Sequence, residues 1–540
     1  MGGIALGGSR LPWPKSLEDD LKKFDSYEAA KAHFDNIIHN HIPNGKRGEV
    51  YSKAFMAIGG VAKQFDRVED ARTFFKEAYL QCRAFPTAWS TAAKLEEELG
   101  AYKESLHLIE VGLEHCPQSY LLLRKRVELL EMLQGPEAAR TALATLSWDL
   151  LDKTWKVWSY GAMMEARNGR VRIAHLVYSC LLQAIRPKSQ HFGKLCEDIV
   201  KFKERQGLLR RALAVANVVA ELPGQQNGLW FSLLRLKDRL NFSLHDIRLS
   251  AEHALDRISH DVKWKLFFIM GQIEDRAGNL DKARMSFHNA VKVCCPKDHW
   301  KIWQGCARVE LANDNFQVAE KMLMYALHEA PSQRHANIIV DLARVYEYEG
   351  NRELSRSMLH TGAQHYKDDC RIVIEEVLVE HRAGDVVAAL RLGLDALEHM
   401  ELSGRLWALI VQFGSILGPW AQKMLLDVAL INMPKSGEVW CEYGRWSLNP
   451  CFPNFNLSSA RNAFDAAIHF TPQYGDTFLE CLRLELLQHG VTRALNDVMN
   501  TCIHAAPNYG LAWNYCRVHP LNDASTVIIF KYNTEIRMID

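Results

Sequence analysis

The sequence is poor in the signals that mark enzymes, membrane proteins and secreted proteins. Its 540 residues contain no GxxxxGK[ST], no GxGxxG after a strand, no GxSxG and no HExxH, so neither a phosphate-cradling loop nor a familiar hydrolytic centre is written in local motifs. His39-Asn40-His41 and Cys502-Ile503-His504 are isolated pairs, and two ligands without a third make no metal site. No cofactor and no small-molecule substrate are expected. The 13 cysteines form no CxxC pair, and Cys180, Cys306 and Cys481 sit where small residues are needed for packing, which points to a reducing intracellular compartment. Every apolar run is broken by charge well short of about 20 residues, so no membrane span is expected. Arg10 and two prolines interrupt the start where a secretory apolar run would lie. Gly2 is followed at position 6 by Leu6, not Ser or Thr, and myristoylation is not expected.

What the chain has is one pattern, many times over. In Trp303 to Pro331, Trp303, Cys306 and Glu310 share a helical face, Asp314 occupies a turn, Ala319, Leu323 and Leu327 line a second helix, and Pro331 follows it. The order recurs from Trp89 (Ala92, Glu96, Gly100, Ser105, Ile109, Leu113, Pro117) and from Trp158 (Gly161, Glu165, Gly169, Ala174, Tyr178, Leu182, Pro187). Weaker copies anchor on Phe55, Leu123, Phe192, Trp230, Phe267, Ile339, Val373, Trp407, Trp440, Phe478 and Trp513, a step of about 35 residues. The fold expected is all-α: a right-handed superhelical α-solenoid of stacked antiparallel helix pairs, with about 14 repeats.

Each slot has a physical task. The large residue fills the groove of the preceding pair, and the small one three residues on lets two helices approach closely. Gly100, Gly169, Gly278, Gly350 and Gly384 are placed for a left-handed turn, with Asp66, Asp314 and Gln134 standing in elsewhere. Glu96, Glu165, Glu310, Glu380 and Glu485 recur in one slot, where a carboxylate accepts hydrogen bonds from the neighbouring repeat. Residues 1–15 are expected to be a flexible arm, 16–520 the solenoid and 521–540 a C-terminal cap or tail. The run Val527-Ile528-Ile529-Phe530 looks β-like.

Charge is uneven although the net charge is only +1. Residues 120–250 hold 21 Lys and Arg against 12 Asp and Glu. Arg124, Lys125, Arg126, Arg167, Arg170, Arg172, Lys201, Lys203, Arg205, Arg210 and Arg211 recur near repeat spacing. Stacking aligns some of them into a stripe suited to RNA or an acidic partner segment, unless they are solvated side chains of the convex face.

Two stretches carry a resemblance. TWKVWSYGAMMEARNGRVRIAHLVYSCLLQAIRP at 154–187 resembles the half-a-tetratricopeptide (HAT) repeat, and later copies lean towards the tetratricopeptide (TPR) type. SGEVWCEYGR at 436–445, TPQYGDTFLECLRLELLQHG at 471–490 and AAPNYGLAW at 505–513 resemble the end of the spliceosomal tri-snRNP scaffold family of pre-mRNA-processing factor six. The resemblance implies a non-enzymatic scaffold that binds other proteins of a large ribonucleoprotein complex, in pre-mRNA splicing and in the nucleus. The alternatives are an RNA-binding repeat protein using 120–250, and a TPR-like scaffold of a ciliary, cytoskeletal or trafficking complex, the last placed in the cytoplasm.

Overall fold

The computed structural model describes residues 27–40, 48–65, 67–146, 151–186, 189, 191–222, 227–366, 369–400, 403–450, 455–489 and 491–539. The expected arm at 1–15 lies outside these, as do Asp66 and Pro187. The chain divides into two compact units, residues 1–199 and 200–540. Among the described residues both units are built of helices and short turns, with no strand beyond the single bridge Tyr474–Tyr509.

After an opening helix Tyr27–Asn40, each of the 14 anchor residues falls in the first helix of a pair. Examples are Pro86–Glu98 with Tyr102–His115 and Leu151–Arg167 with Val171–Ala184 in the first unit. In the second, Lys263–Arg276 pairs with Leu280–Val293, His299–Ala312 with Phe316–Glu329, and Gly437–Ser447 with Leu457–Phe470. Within each unit neighbouring helices pack on one another, and the apolar residues of consecutive pairs share clusters rather than one core.

The turns explain why the pairs are antiparallel. The first helix His299–Ala312 ends with Asn315 N–H reaching back to Glu310 O (2.9 Å) and Asp314 N–H to Leu311 O (3.2 Å), with Asp314 at φ 60°. Gly100 does the same at φ 76°, a conformation that glycine adopts without a Cβ clash. At Gln134 the expectation needs correction. Gln134 is the last helical residue, and it is Gly135 that takes the positive φ, 87°. Gly161 shows the second backbone demand, since a Cβ there would lie 2.7 Å from Leu143 Cδ1 in the preceding second helix.

Two further expectations shift. Trp158 is buried, but Trp303 is only half-buried, and the fully buried residue at that interface is its neighbour Ile302. Val527 to Phe530 are helical within Ala524–Ile539. Val527 and Ile528 pack on Phe478, Leu482, Cys502 and Trp513, a tertiary burial that overrides the β preference of branched side chains.

Candidate functional site

The recurring glutamates are joined to arginines the sequence pattern did not single out. Glu96, Glu165, Glu274, Glu310, Glu380 and Glu485 lie on first helices and pair with Arg72, Arg140, Arg248, Arg284, Arg356 and Arg461, 24–26 residues earlier on the preceding second helix. Most are two-pronged; Arg248 Nε and Nη2 each lie 2.7 Å from Glu274. Burial works to raise the Glu274 carboxyl, but hydrogen bonds from Arg248 and Asn279 outweigh it and hold it below the ordinary value. A second ladder joins first helices directly: Arg167 to Glu131 in the first unit, and Arg276 to Asp238, Arg344 to Glu375, Arg382 to Glu347 and Arg445 to Glu480 in the second. The first-helix face is therefore polar and rigidly cross-linked.

Within the second unit this face holds a cavity of about 100 Å³. It is lined by Arg405, Ala408 and Gln412 from Gly404–Phe413, by Glu438, Glu442 and Arg445 from Gly437–Ser447, and by Tyr474, Asp476 and Gly510. Two loops meet to close it: Gly475 N–H donates to Tyr509 O (2.7 Å) and Asn508 N–H to Gln473 O (3.0 Å). Asp476 accepts the N–H groups of Leu511 (3.1 Å) and Trp513 (2.8 Å). Glu438 accepts Tyr509 O–H (2.5 Å) and Ser436 O–H (2.8 Å). Arg445 bridges Glu442 and Glu480, and Arg405 lies 5.3 Å from the centre of the Tyr509 ring. Four carboxylates thus surround two guanidinium groups. Burial, only partly offset by Arg445, pushes the Glu442 carboxyl up to about 7, with Glu480 and Asp476 adding to the rise. Apart from Arg405, Ala408 and Gln412, these residues come from 436–445, 471–490 and 505–513, the three segments that carried the closer resemblance.

The chain's last pair also returns to the unit's own first helices. Asp523 pairs with Arg239, which is 3.4 Å from Glu204. Arg276 donates to Asn522 Oδ1 (2.8 Å) and to Asp238 (2.7 Å), and His519 lies 3.4 Å from Asp275. Val518 is held at φ 57°, costly for a β-branched residue.

The family model for the PRP6 TPR-like domain matches residues 47–531. The chain belongs to this family. It is 32% identical over 481 residues to a TPR-containing protein of Dictyostelium discoideum, covering 89% of the chain and 36% of that protein. It is 23% identical over 243 residues to the pre-mRNA-splicing factor syf1 homolog of Drosophila melanogaster, covering 44% of the chain and 27% of that protein. The chain thus spans about a third or less of the length of these relatives. The crystal structure of yeast Tom70 aligns over 84% of the chain and 95% of its own at 12% identity, with a TM-score of 0.36.

In this PRP6-like chain the candidate basic residues are divided between the two units. In the first unit Arg124 pairs with Glu128 (2.9 Å), Lys125 with Glu97 (2.8 Å) and Arg167 with Glu131 (2.7 Å). Arg126 is 3.6 Å from Glu110 and Arg170 3.4 Å from Glu137. Arg124 and Arg167 meet at the ring of Tyr160, 5.8 and 5.3 Å from its centre. Arg172 is exposed. In the second unit Lys201, Arg210 and Arg211 are exposed, while Lys203 and Arg205 are half-buried. Burial, with nearby Arg211, pulls Lys203 below its ordinary value. Among the described residues no group of three or more His, Cys, Asp and Glu is placed to hold a metal ion, and no helix is long and apolar enough to cross a membrane.

Proposed function

We propose that the chain is a non-enzymatic scaffold of an RNA-processing assembly, in pre-mRNA splicing and in the nucleus, and that partner proteins bind along its first-helix face. Membership of the PRP6 TPR-like family and the splicing-factor relatives support the assembly. The observation that carries the binding mode is the cavity around Glu442. Four carboxylates against two guanidinium groups leave the cavity acidic, and burial keeps Glu442 up at about 7; a Lys or Arg side chain of a partner segment complements that charge. The test is affinity purification of wild type and Glu442→Lys, with and without nuclease, after thermal melts show both folded. Nuclease-resistant splicing proteins lost from the variant support the reading. Identical partner sets sink the cavity as a binding site, and cytoskeletal or trafficking partners sink the splicing assignment.

A second reading, direct RNA binding, rests on the solvent exposure of Arg172, Lys201, Arg210 and Arg211. Neutralising Arg210 and Arg211 should then reduce the salt slope of RNA binding by about 1.4–1.8, at roughly 0.7–0.9 per phosphate contact. An unchanged slope rejects it.

A further inference from the structure

We propose that this chain forms a two-fold homodimer through the outer face of the helix Pro419–Asn432. Exposed apolar residues elsewhere on second helices, such as Leu176, Val218 and Met285, are scattered, as on any surface. Here they form a stripe. Trp420, Met424, Val428 and Ile431 stand at i, i+4, i+8 and i+11 and are 78, 71, 45 and 77% exposed, and Ile416 and Leu417 just before the helix are 53 and 59% exposed. The opposite face of the same helix is satisfied, with Leu426 and Ala429 fully buried in the unit's core. The stripe leaves apolar surface on the order of 700 Å² in water, beyond the 300–600 Å² typical of a monomer's largest patch and close to the ~800 Å² each partner buries in a stable interface.

The charges say which partner fits. Lys423 and Asp427 flank one edge of the stripe and pair with each other. When two copies of a helix pack antiparallel, equivalent edges face each other in reverse order. Trp420 then meets Ile431 of the second copy, Met424 meets Val428, and Lys423 meets Asp427, twice about the two-fold axis. A parallel arrangement would set the charged edge against Ala421 and Asn432 and gain nothing from it.

Sedimentation equilibrium of the full chain at micromolar concentration tests this. Wild type should show twice the 61.6 kDa chain mass, and Trp420→Glu should raise the dimer dissociation constant at least about tenfold, as loss of a large aromatic contact does. Folding of the variant is checked by its melting curve. The decisive test uses Lys423→Glu and Asp427→Lys in separate preparations. Each alone places like charges across the axis and should be monomeric, whereas their equimolar mixture restores both cross-axis pairs and should dimerise, although the pair within each chain stays broken. A monomeric wild type, a Trp420→Glu variant that still dimerises, or a mixture that stays monomeric overturns the proposal. So does a monomeric wild type that retains another protein which Trp420→Glu releases.

Discussion

Arg284 donates from Nε and Nη2, both at 2.7 Å, to the two carboxylate oxygens of Glu310, 26 residues later on the next pair's first helix. The two ends of this bond are not equivalent, because Glu310 is fully buried and Arg284 is 41% exposed. Removing the arginine strands a buried charge, whereas removing the acid leaves a guanidinium that water can reach. Arg284→Ala should therefore destabilise the 263–330 region by about 3 kcal/mol and Glu310→Gln by roughly half as much. Hydrogen exchange of amides in His299–Ala312 measures both, and equal effects would refute the asymmetry.

Trp158 and Trp303 occupy the same slot of the repeat but not the same environment. Trp158 is buried, whereas Trp303 is half-buried and shares its surroundings with Tyr325, 5.9 Å away between ring centres. Trp158→Ala should cost about 3–5 kcal/mol through the cavity it leaves, and Trp303→Ala distinctly less. Limited proteolysis across 151–184 and 299–329 ranks the two, and faster opening at the second site would reverse the order.

The repeat itself was legible because its determinants are local. A large residue, a small one three on, a glutamate and a left-handed turn all lie within one pair, and every anchor residue falls in a first helix. The glutamate slot was readable for the same reason. Its arginine is the fifth residue of the preceding second helix in each case (Arg72, Arg140, Arg248, Arg284, Arg356 and Arg461), a regularity missed because the pairing crosses from one pair to the next. The cavity was less visible still. Segments 436–445, 471–490 and 505–513 stand out in sequence, yet nothing local says that Tyr474 and Tyr509 bring two loops together over Arg445.

The buried carboxyl of Glu442 makes stability depend on pH in an uncommon direction. Its folded value of about 7 lies above the ordinary 4.5, so the folded state holds the proton more tightly. The contribution is full below about pH 4.5 and is lost as pH rises through 7, on the order of 3 kcal/mol. Glu442→Gln mimics the protonated group and should match wild type near pH 4.5 but exceed it at pH 8. Denaturant midpoints at both values test this, and a constant difference between the proteins would contradict it.

Asp523 carries the last argument, since it fixes the chain's final pair to residues nearly three hundred positions earlier. Burial works to raise its carboxyl, but Arg239 and the hydroxyls of Thr526 and Ser525 outweigh it and hold it below the ordinary value. A depressed carboxylate stabilises the docked state above its ordinary pKa and loses that contribution as pH falls through the folded value. Asp523→Asn should therefore imitate acid at neutral pH. It should leave the stacked pairs intact, because Val527 and Ile528 keep their apolar seat on Phe478 and Trp513, while loosening the turn that holds Val518 at positive φ. The expected result is faster hydrogen exchange confined to 517–526, by about tenfold for a charge-assisted bond worth 1.5–3 kcal/mol with part of it screened by solvent. Unchanged exchange there would mean that apolar contacts alone hold the segment, and exchange spreading through Gly437–Ser447 would mean that the ion pair supports the whole unit.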